Sequence, residues 1–386
     1  MTFFSFIHQK KVRDLFWQAL VLAFTLGLLT FFVLNASRNM REAGIASGFD
    51  FLWRTAGIEI PFVLTNYTPQ SDNWALLWVG IVNTLLIALL SAAAATVLGF
   101  VIGIARLSRN WLLASLAGAY VEIVRNIPLL FFILFSYFGV IAALPGPRNS
   151  IPFFSVAFLN NRGLTIPLPN DGSPFRWAAL VILGALIAQI AFAWWAARRR
   201  DRTGQLAPVW TVGLLLLVLL PIAALTAATL STAWDIPALR GFNYRGGFVL
   251  VPEFVALFAA LTTYTAAFIA EIVRGGILAV PKGQREAAAA VGLGPSYVLR
   301  LVVIPQALRV MVPPITSQYL NLIKNSSFGA AIAYPEVVAV FMGSALVATG
   351  QAIEIIAITL GVYLVLGLAV SAFMNWYNAR MALVVR

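Results

Sequence analysis

Eight long runs of apolar residues dominate this chain of 386 residues and limit what it can fold into. A helix needs about 20 apolar residues to cross a hydrocarbon core about 30 Å thick. The runs cover approximately residues 15–34, 78–105, 111–143, 177–197, 209–230, 253–277, 313–332 and 353–376. The third run is longer than one span requires, so we expect a tilted helix or a surface helix that precedes the span. The runs therefore predict an all-α integral membrane protein with about eight transmembrane helices.

The composition excludes several classes of protein. Charged residues make up only 10% of the chain, whereas ordinary soluble domains carry about 25%. Few charges and 13% aromatic residues are the opposite of the composition of a disordered chain. The chain has one histidine, His8, and no cysteine, which argues against a thiolate or histidine-rich metal site and against a Ser-His triad. We predict no catalytic residues, no bound metal and no enzymatic activity on this chain.

The net charge of +12 is distributed as in a membrane protein. Nucleic-acid-binding proteins cluster Lys and Arg on an exposed face, whereas most cations here lie in short gaps between apolar runs. The positive-inside rule places those gaps in the cytoplasm, together with both termini. The strongest single anchor is the cluster of Arg198, Arg199, Arg200 and Arg202. We therefore predict no nucleic-acid partner, and we place the turn-rich connectors 36–75, 145–176 and 231–251 on the opposite side of the membrane.

The first 75 residues allow two interpretations. Lys10, Lys11 and Arg13 precede the first apolar run, as basic residues precede the core of a secretory signal peptide. That run is as long as a full span, and no Ala-x-Ala cleavage site follows it, so an uncleaved helix is the favoured interpretation. We expect residues 1–75 to form a cytoplasmic tail, the first transmembrane helix and a periplasmic loop.

One cytoplasmic segment, residues 278–312, has a pattern unlike a plain span. Glu286 opens a run of alanines, the best helix formers, and a carboxylate suits the first turn of a helix. Gly292 is a natural stop signal, and the Gly-Pro pair that follows bars continuation. Ser296 is a candidate cap for a second helix that Pro305 would end. We predict a short helix with a flat, alanine-rich surface that fits a groove in another protein.

The same segment carries a resemblance to a known family. Glu286-Ala287-Ala288, then Gly292 and Ile304-Pro305, resemble the Glu-Ala-Ala loop of permease subunits of bacterial ABC importers. Further blocks resemble the polar amino acid permeases, and they comprise residues 120–130, 270–277 with 281–284, 305–309 and 322–327. The usual Arg-Gly-Thr-Pro appears here as residues 125–128, Arg-Asn-Ile-Pro, and Lys-Asp-Thr-Ser appears as residues 324–327, Lys-Asn-Ser-Ser. The size and the extra spans most resemble the larger subunits of general L-amino acid importers.

The resemblance implies an architecture and a set of partners. Residues 76–386 would form the permease domain with the type I importer core, an inserted helix pair at about 145–250 and a coupling loop at 278–312. The coupling residues would be Glu286, Ala287, Ala288, Gly292 and Pro305. The partners would be a second, distinct but homologous permease, a dimer of ATP-binding subunits and a periplasmic amino-acid-binding protein, in a bacterial inner membrane. The chain has no Gly-x-x-x-x-Gly-Lys-Ser/Thr loop, so ATP and Mg²⁺ are expected on the ATPase and no cofactor on this chain.

Few ionisable groups lie within the apolar runs, and they allow two interpretations. A charge at the centre of a bilayer costs at least about 3 kcal/mol, so such groups usually pair or face a watery cavity. The candidates for a path for a zwitterionic amino acid are Glu122, Arg125, Glu271, Lys324, Asn325 and Ser326. The other interpretation is ion pairing within the bundle. Glu122 with Arg125, and Glu271 with Arg274, have the i,i+3 spacing that allows a pair on one helix face. Glu354 is a further charge that we expect to be buried. Pairing is favoured for Arg274, the two interpretations are balanced for Glu122 and Arg125, and a structural or gating role is favoured for Lys324.

Two other functions compete with import driven by ATP. A secondary transporter driven by an ion gradient would favour an internal inverted repeat and carboxylates at the midplane, and no repeat is evident. An integral membrane enzyme would need a catalytic cluster, which a chain with a lone histidine and no cysteine does not suggest.

Overall fold

A computed structural model describes residues 10–42, 47–205 and 207–381, so His8 and Arg386 lie outside the described residues. The helices, numbered in chain order, are α1 Lys10–Glu42, α2 Asn73–Ala105, α3 Trp111–Asn126, α4 Leu129–Leu134, α5 Ser173–Thr203, α6 Val209–Leu214, α7 Leu220–Ser231, α8 Pro252–Leu278, α9 Lys282–Ala290, α10 Pro295–Val298, α11 Ile304–Asn325, α12 Leu346–Thr349 and α13 Ala352–Met381. Segments of π-helix occupy Phe135–Ile141, Leu215–Leu219, Leu299–Val303 and Val338–Ala345, and 3₁₀ turns occupy Asp50–Trp53, Pro147–Asn149 and Ser326–Ile332.

The helices confirm the predicted membrane character of the chain. Among the described residues, 7 helices are long and apolar enough to cross a membrane, or up to 8 if a bent pair forms one span. The first of them, Arg13–Asn35, has none of its most apolar window buried against the rest of the described chain. Its exposed apolar surface is suited to lipid or to another protein chain.

The third and seventh apolar runs differ from simple spans. The third is two helices, Trp111–Asn126 and Leu129–Ile141, bent by 109°. The break falls at Pro128, which has no backbone N–H to continue the helix. The seventh predicted span, 313–332, is the second half of a longer helical segment, Pro295–Ile332. The predicted span is too short because Pro305 lies inside this helical segment and does not end it.

One compact unit comprises the residues up to 133 and from 257 onwards. In one of its clusters, Phe51, Leu76 and Phe341 are fully buried, so the connector before α2 is part of the core. In another, α2 and α8 meet at Gly99 and Gly103, where an added Cβ would lie 2.6 Å from Ile269 Cγ2 and 2.7 Å from the carbonyl oxygen of Ala270. Small residues four apart let two membrane helices approach closely.

The other compact unit comprises residues 134–256. In this unit, α5 packs against α6, α7 and the π-helical segment between them. Eight short strands, absent from the sequence-based expectation, lie in the connectors 145–176 and 231–251: β1 Ile151–Phe153, β2 Ala157–Asn160, β3 Gly163–Ile166, β4 Leu168–Pro169, β5 Trp234–Asp235, β6 Ala238–Arg240, β7 Asn243–Arg245 and β8 Phe248–Leu250. They form an antiparallel sheet in the order β1-β2-β3-β8 and two ribbons, β4-β5 and β6-β7. Leu164 faces Leu250 across the sheet, so the two connectors fold together.

Candidate functional site

The alanine-rich helix α9 has one exposed face, and its other face packs against neighbouring residues. Ala288 is buried with Val280 and Val298, so this side of α9 is held against the residues that precede and follow it. Glu286 and Ala287 are exposed. Glu286 lies in the middle of the helix, because α9 begins at Lys282, and the expectation that it opens the first turn is wrong. The predicted short helix with a smooth outer surface is present.

Helix α9 ends in a glycine-dependent turn. Gly292 has φ +84°, a left-handed conformation that glycine adopts without strain. Its N–H donates to the carbonyl of Ala289 at 2.9 Å, and the N–H of Leu293 donates to the carbonyl of Ala288 at 3.2 Å. These two bonds form the Schellman motif, which satisfies carbonyls at the end of a helix. The turn therefore sets the direction in which the chain leaves α9.

We expect Gly292→Val to weaken this turn. A β-branched residue in the left-handed region costs about 1–3 kcal/mol, and no neighbouring atom within 4 Å of the added Cβ adds to that cost. The purified variant should show a lower thermal midpoint in detergent. Gly283→Val is the matched control, because Gly283 also has open space around its Cβ but has helical φ. Equal behaviour of the two variants would contradict the role of the left-handed turn.

The helix after α9 differs from the expectation. Gly294, not Ser296, occupies the N-cap position, and Ser296 lies inside α10. Pro305 does not end a helix, because it lies in the first turn of α11, which runs on to Asn325. The π-helical segment Leu299–Val303 precedes it. A local π-turn accommodates the missing proline N–H, so the helix continues.

Glu271 is held by two arginines. Arg274 Nη2 donates to Glu271 Oε1 at 2.6 Å, and Arg274 Nε donates to Oε2 at 3.3 Å. Arg106, at the carboxyl end of α2, donates to the same Oε2. All three side chains are partly buried, so the triad ties α2 to α8. This geometry favours the interpretation of Glu271 as a structural ion pair. Sequence spacing does not point to Arg106, because the pairing is between distant helices.

Glu122 and Arg125 are both exposed on α3, and no ion pair joins them among the described residues. The guanidinium of Arg125 instead lies 5.2 Å from the ring centre of Phe268. The hydroxyl of Tyr120 donates to the carbonyl of Thr263 at 2.6 Å, which links α3 to α8. The i,i+3 spacing of Glu122 and Arg125 allows an ion pair, but the described structure does not contain it.

The polar patch at the end of α11 divides between surface and interior. Lys324 is exposed, Asn325 is half-buried and Ser326 is fully buried. Ser326 Oγ donates to the carbonyl of Ile323 at 2.6 Å, where α11 changes into the 3₁₀ turn Ser326–Ile332. Within the part of the chain that is described, no hydrogen bond or ion pair joins Lys324 to Glu122 or Glu271. Among the described residues, the candidate path residues of α3, α8 and α11 are therefore not joined to one another by hydrogen bonds or ion pairs.

Sequence reasoning missed a buried carboxylate, Glu336. Its side chain is fully buried and accepts hydrogen bonds from the backbone N–H groups of Val338 and Ala339, each at 2.8 Å. The hydroxyl of Tyr363 donates to it at 2.8 Å. Glu336 thus caps the segment Val338–Thr349, an apolar helix too short to cross a membrane. The available signal was a single acidic residue that follows a proline and interrupts an apolar stretch.

Further polar groups surround this carboxylate and form, with it, a buried polar cluster. The cluster comprises Asn83, Thr84, Tyr334, Glu336 and Tyr363. Asn83 Nδ2 donates to the carbonyls of Phe62 and Pro335 at 3.1 and 2.9 Å, and its own carbonyl accepts from the Tyr334 hydroxyl at 3.0 Å. Thr84 Oγ1 accepts from the N–H of Val337 at 3.2 Å. These bonds fix the irregular chain at 333–337 against α2.

A cavity of about 530 Å³ lies beside this irregular chain. It is lined by Glu59 and Pro61 from the connector before α2 and by residues between Ala330 and Ser344. Among the described residues, no group of three or more His, Cys, Asp or Glu side chains could hold a metal ion. The cavity thus lies next to the short helical segment Val338–Thr349, which the buried acceptor Glu336 caps.

Comparison with known proteins gives full-length relatives, although no family model matches the chain. The chain is 48% identical over 376 residues to the putative amino-acid ABC transporter permease protein YhdX of Escherichia coli, covering 97% of this chain and 95% of that protein. It is 47% identical over 386 residues to the general L-amino acid transport system permease protein AapQ of Rhizobium johnstonii, covering 100% and 96%. It is 38% identical over 410 residues to the glutamate/glutamine/aspartate/asparagine transport system permease protein BztB of Rhodobacter capsulatus, covering 98% and 95%.

Proposed function

This chain belongs to the family of amino-acid ABC transporter permeases, and we propose that it couples ATP hydrolysis on a separate subunit to amino-acid import through the segment 278–312. It is a multi-pass membrane protein and a transport component, not itself an enzyme. The substrates that we propose are L-amino acids, the class named for its relative AapQ.

The observation that carries the coupling proposal is the two-sided character of α9. Its inner side is fixed by the buried Ala288, and its outer side presents Glu286 and Ala287 to the surroundings. Alanine side chains lose almost no conformational entropy when they are buried in a contact. A rigidly held helix with such a surface can dock into a groove and transmit a displacement of the groove to α10 and α11.

The proposed partners follow from the proposal that ATP is hydrolysed on a separate subunit. We propose a pair of ATPase subunits that bind α9 and carry ATP and Mg²⁺, a substrate-binding protein on the opposite side of the membrane, and a second permease that is homologous but distinct. The chain would lie in a bacterial inner membrane with both termini in the cytoplasm. The support for this orientation is the concentration of arginine at 198–202, beside a candidate span.

The candidate path separates into two groups of residues. Glu122, Arg125 and Lys324 are exposed, so their charges are available to a zwitterionic substrate or to a second permease chain that covers them. Asn325 and Ser326 are retained with them as polar neighbours of Lys324. Glu271 is assigned to the ion pairs that hold α2 to α8, because both carboxylate oxygens are engaged by arginines.

Uptake measurements distinguish this proposal from transport driven by an ion gradient. Cells that express the chain with its partners should lose amino-acid uptake when ATP is depleted and keep it when an uncoupler collapses the ion gradient at constant ATP. Affinity purification of the chain in mild detergent should bring down an ATPase and a second permease. Uptake that survives ATP depletion and fails with the uncoupler would favour the secondary transporter instead.

A further inference from the structure

Another cavity lies among the strands of the compact unit 134–256. Its volume is about 220 Å³, and its lining includes Asn160, Arg162, Thr165, Asn243, Tyr244 and Val249. Drug-sized ligands occupy pockets of about 300–1,000 Å³. Since a water molecule takes about 30 Å³, this cavity has room for about seven non-hydrogen atoms. It therefore fits a small molecule, and no candidate path residue is among the described residues that line it.

The register of the strands places the cavity on one face of the sheet. Phe158 of β2 lies opposite Thr165 of β3, which in turn lies opposite Val249 of β8. Asn160, two residues beyond Phe158, is on the same face because side chains alternate along a strand. The ring of Tyr244 in β7 stacks on that of Phe158, with 4.4 Å between the ring centres. The ribbon of β6 and β7 therefore covers this face, and residues of both line the cavity.

Arg162, in the turn between β2 and β3, is the one charged residue among the described residues that line the cavity. Its backbone N–H donates to Asn160 Oδ1 at 2.8 Å, and Asn160 Nδ2 donates to Ser150 Oγ at 3.0 Å, so the turn is fixed. Its guanidinium Nη1 donates to Asn243 Oδ1. Asn243 is neutral and takes only one of the five guanidinium N–H groups. No ion pair among the described residues includes Arg162, so its positive charge is not neutralised there.

Thr165 adds a second polar group to the lining. The residue is only 4% exposed, and the described chain provides no hydrogen-bond partner for its hydroxyl. A buried hydroxyl without a partner is unfavourable, so a ligand that accepts a hydrogen bond from it gains affinity. Val249 and Pro147 contribute apolar surface to the same cavity. The lining thus combines one oriented cation, one unpartnered hydroxyl and an apolar wall.

We infer that this cavity is a binding site for a small carboxylate. The planar guanidinium of Arg162 matches the two carboxylate oxygens, and the Thr165 hydroxyl donates to the same ligand. One cation balances a carboxylate of charge −1 better than a phosphate group, which carries about −1.5 to −2 at pH 7. No acidic residue is among the described lining residues, so the ligand needs no amino group. Free amino acids and plain organic acids therefore share the group that is recognised, and the site does not depend on the coupling role of α9.

Saturation-transfer NMR of the full chain in detergent tests this site with L-alanine, L-lactate and ethylamine. Lactate has a hydroxyl in place of the amino group of alanine, and ethylamine lacks the carboxylate. We expect alanine and lactate to bind with similar affinity, ethylamine to give no signal, and an excess of inorganic phosphate to leave lactate bound. Binding of ethylamine as strong as that of lactate, or displacement of lactate by phosphate, would overturn the inference.

Matched variants locate the bound lactate. Arg162→Gln should weaken its binding about 30-fold, the equivalent of about 2 kcal/mol for hydrogen bonds to charged groups. Arg176→Gln removes the same charge from an exposed residue of the same unit that does not line the cavity, and it should leave binding unchanged. Thr165→Val should weaken binding about 5-fold without lowering the thermal midpoint, because the hydroxyl has no partner to lose. Equal binding by Arg162→Gln and Arg176→Gln, or unchanged binding by Thr165→Val, would contradict the assignment.

Discussion

Glu286→Lys is expected to abolish amino-acid uptake driven by ATP while the chain remains folded and inserted in the membrane. Glu286 is exposed at the middle of α9, so its replacement disturbs no buried contact of the described chain. In the proposed complex it faces the ATPase, and reversing one charge of a docked pair costs about 2–5 kcal/mol. That corresponds to roughly a 30-fold or larger loss of affinity. Uptake into whole cells and the amount of ATPase that co-purifies measure the two effects.

A control of equal charge change separates docking from a general effect of charge. Glu42→Lys alters the net charge by the same amount at the end of α1, where Glu42 is exposed and pairs with Arg38 at 3.7 Å. It should leave uptake and co-purification close to those of the unaltered chain. If Glu286→Lys supported normal uptake, α9 would not be the site at which the ATPase engages this chain.

The features that can be predicted from sequence are those that a local rule determines. The thickness of the bilayer makes an apolar run of about 20 residues a span, whatever the rest of the chain does. Gly292 is recognisable as a helix end because only glycine readily adopts the left-handed conformation found there, φ +84°. The smooth alanine surface of α9 is likewise a local property of four consecutive residues.

The features that sequence reasoning misses depend on neighbours that are distant in sequence or on small balances of energy. Arg106 and Glu271 are 165 residues apart, so no spacing rule pairs them. Pro305 is expected to end a helix, yet the preceding π-helical segment lets the helix continue. The strands of residues 134–256 have two to four residues each, too few to show an alternating pattern. Glu336 has its role because Tyr363 and two backbone N–H groups converge on it.

Glu336→Ala is expected to destabilise the chain more than Gly292→Val does. It removes the acceptor for two backbone N–H groups and the Tyr363 hydroxyl, all at a fully buried position. Each buried polar group left without a partner costs about 1–3 kcal/mol, so a total of about 3 kcal/mol or more is expected. A lower thermal midpoint of the purified chain in detergent, and less folded protein in the membrane, are the measurable results.

Tyr363→Phe is the matched variant, because it removes one of the three hydrogen bonds and leaves the carboxylate in place. Its cost should be about 1 kcal/mol, clearly smaller than that of Glu336→Ala. Equal costs would show that the backbone bonds of Glu336 do not hold the segment Val338–Thr349.

Uptake provides a second criterion. If Glu336 acts only as a cap, uptake in both variants should fall in proportion to the folded protein that remains. A loss of uptake at unchanged stability would instead place this carboxylate, whose neighbours Pro335 and Val338 line the cavity of about 530 Å³, among the groups that move the substrate.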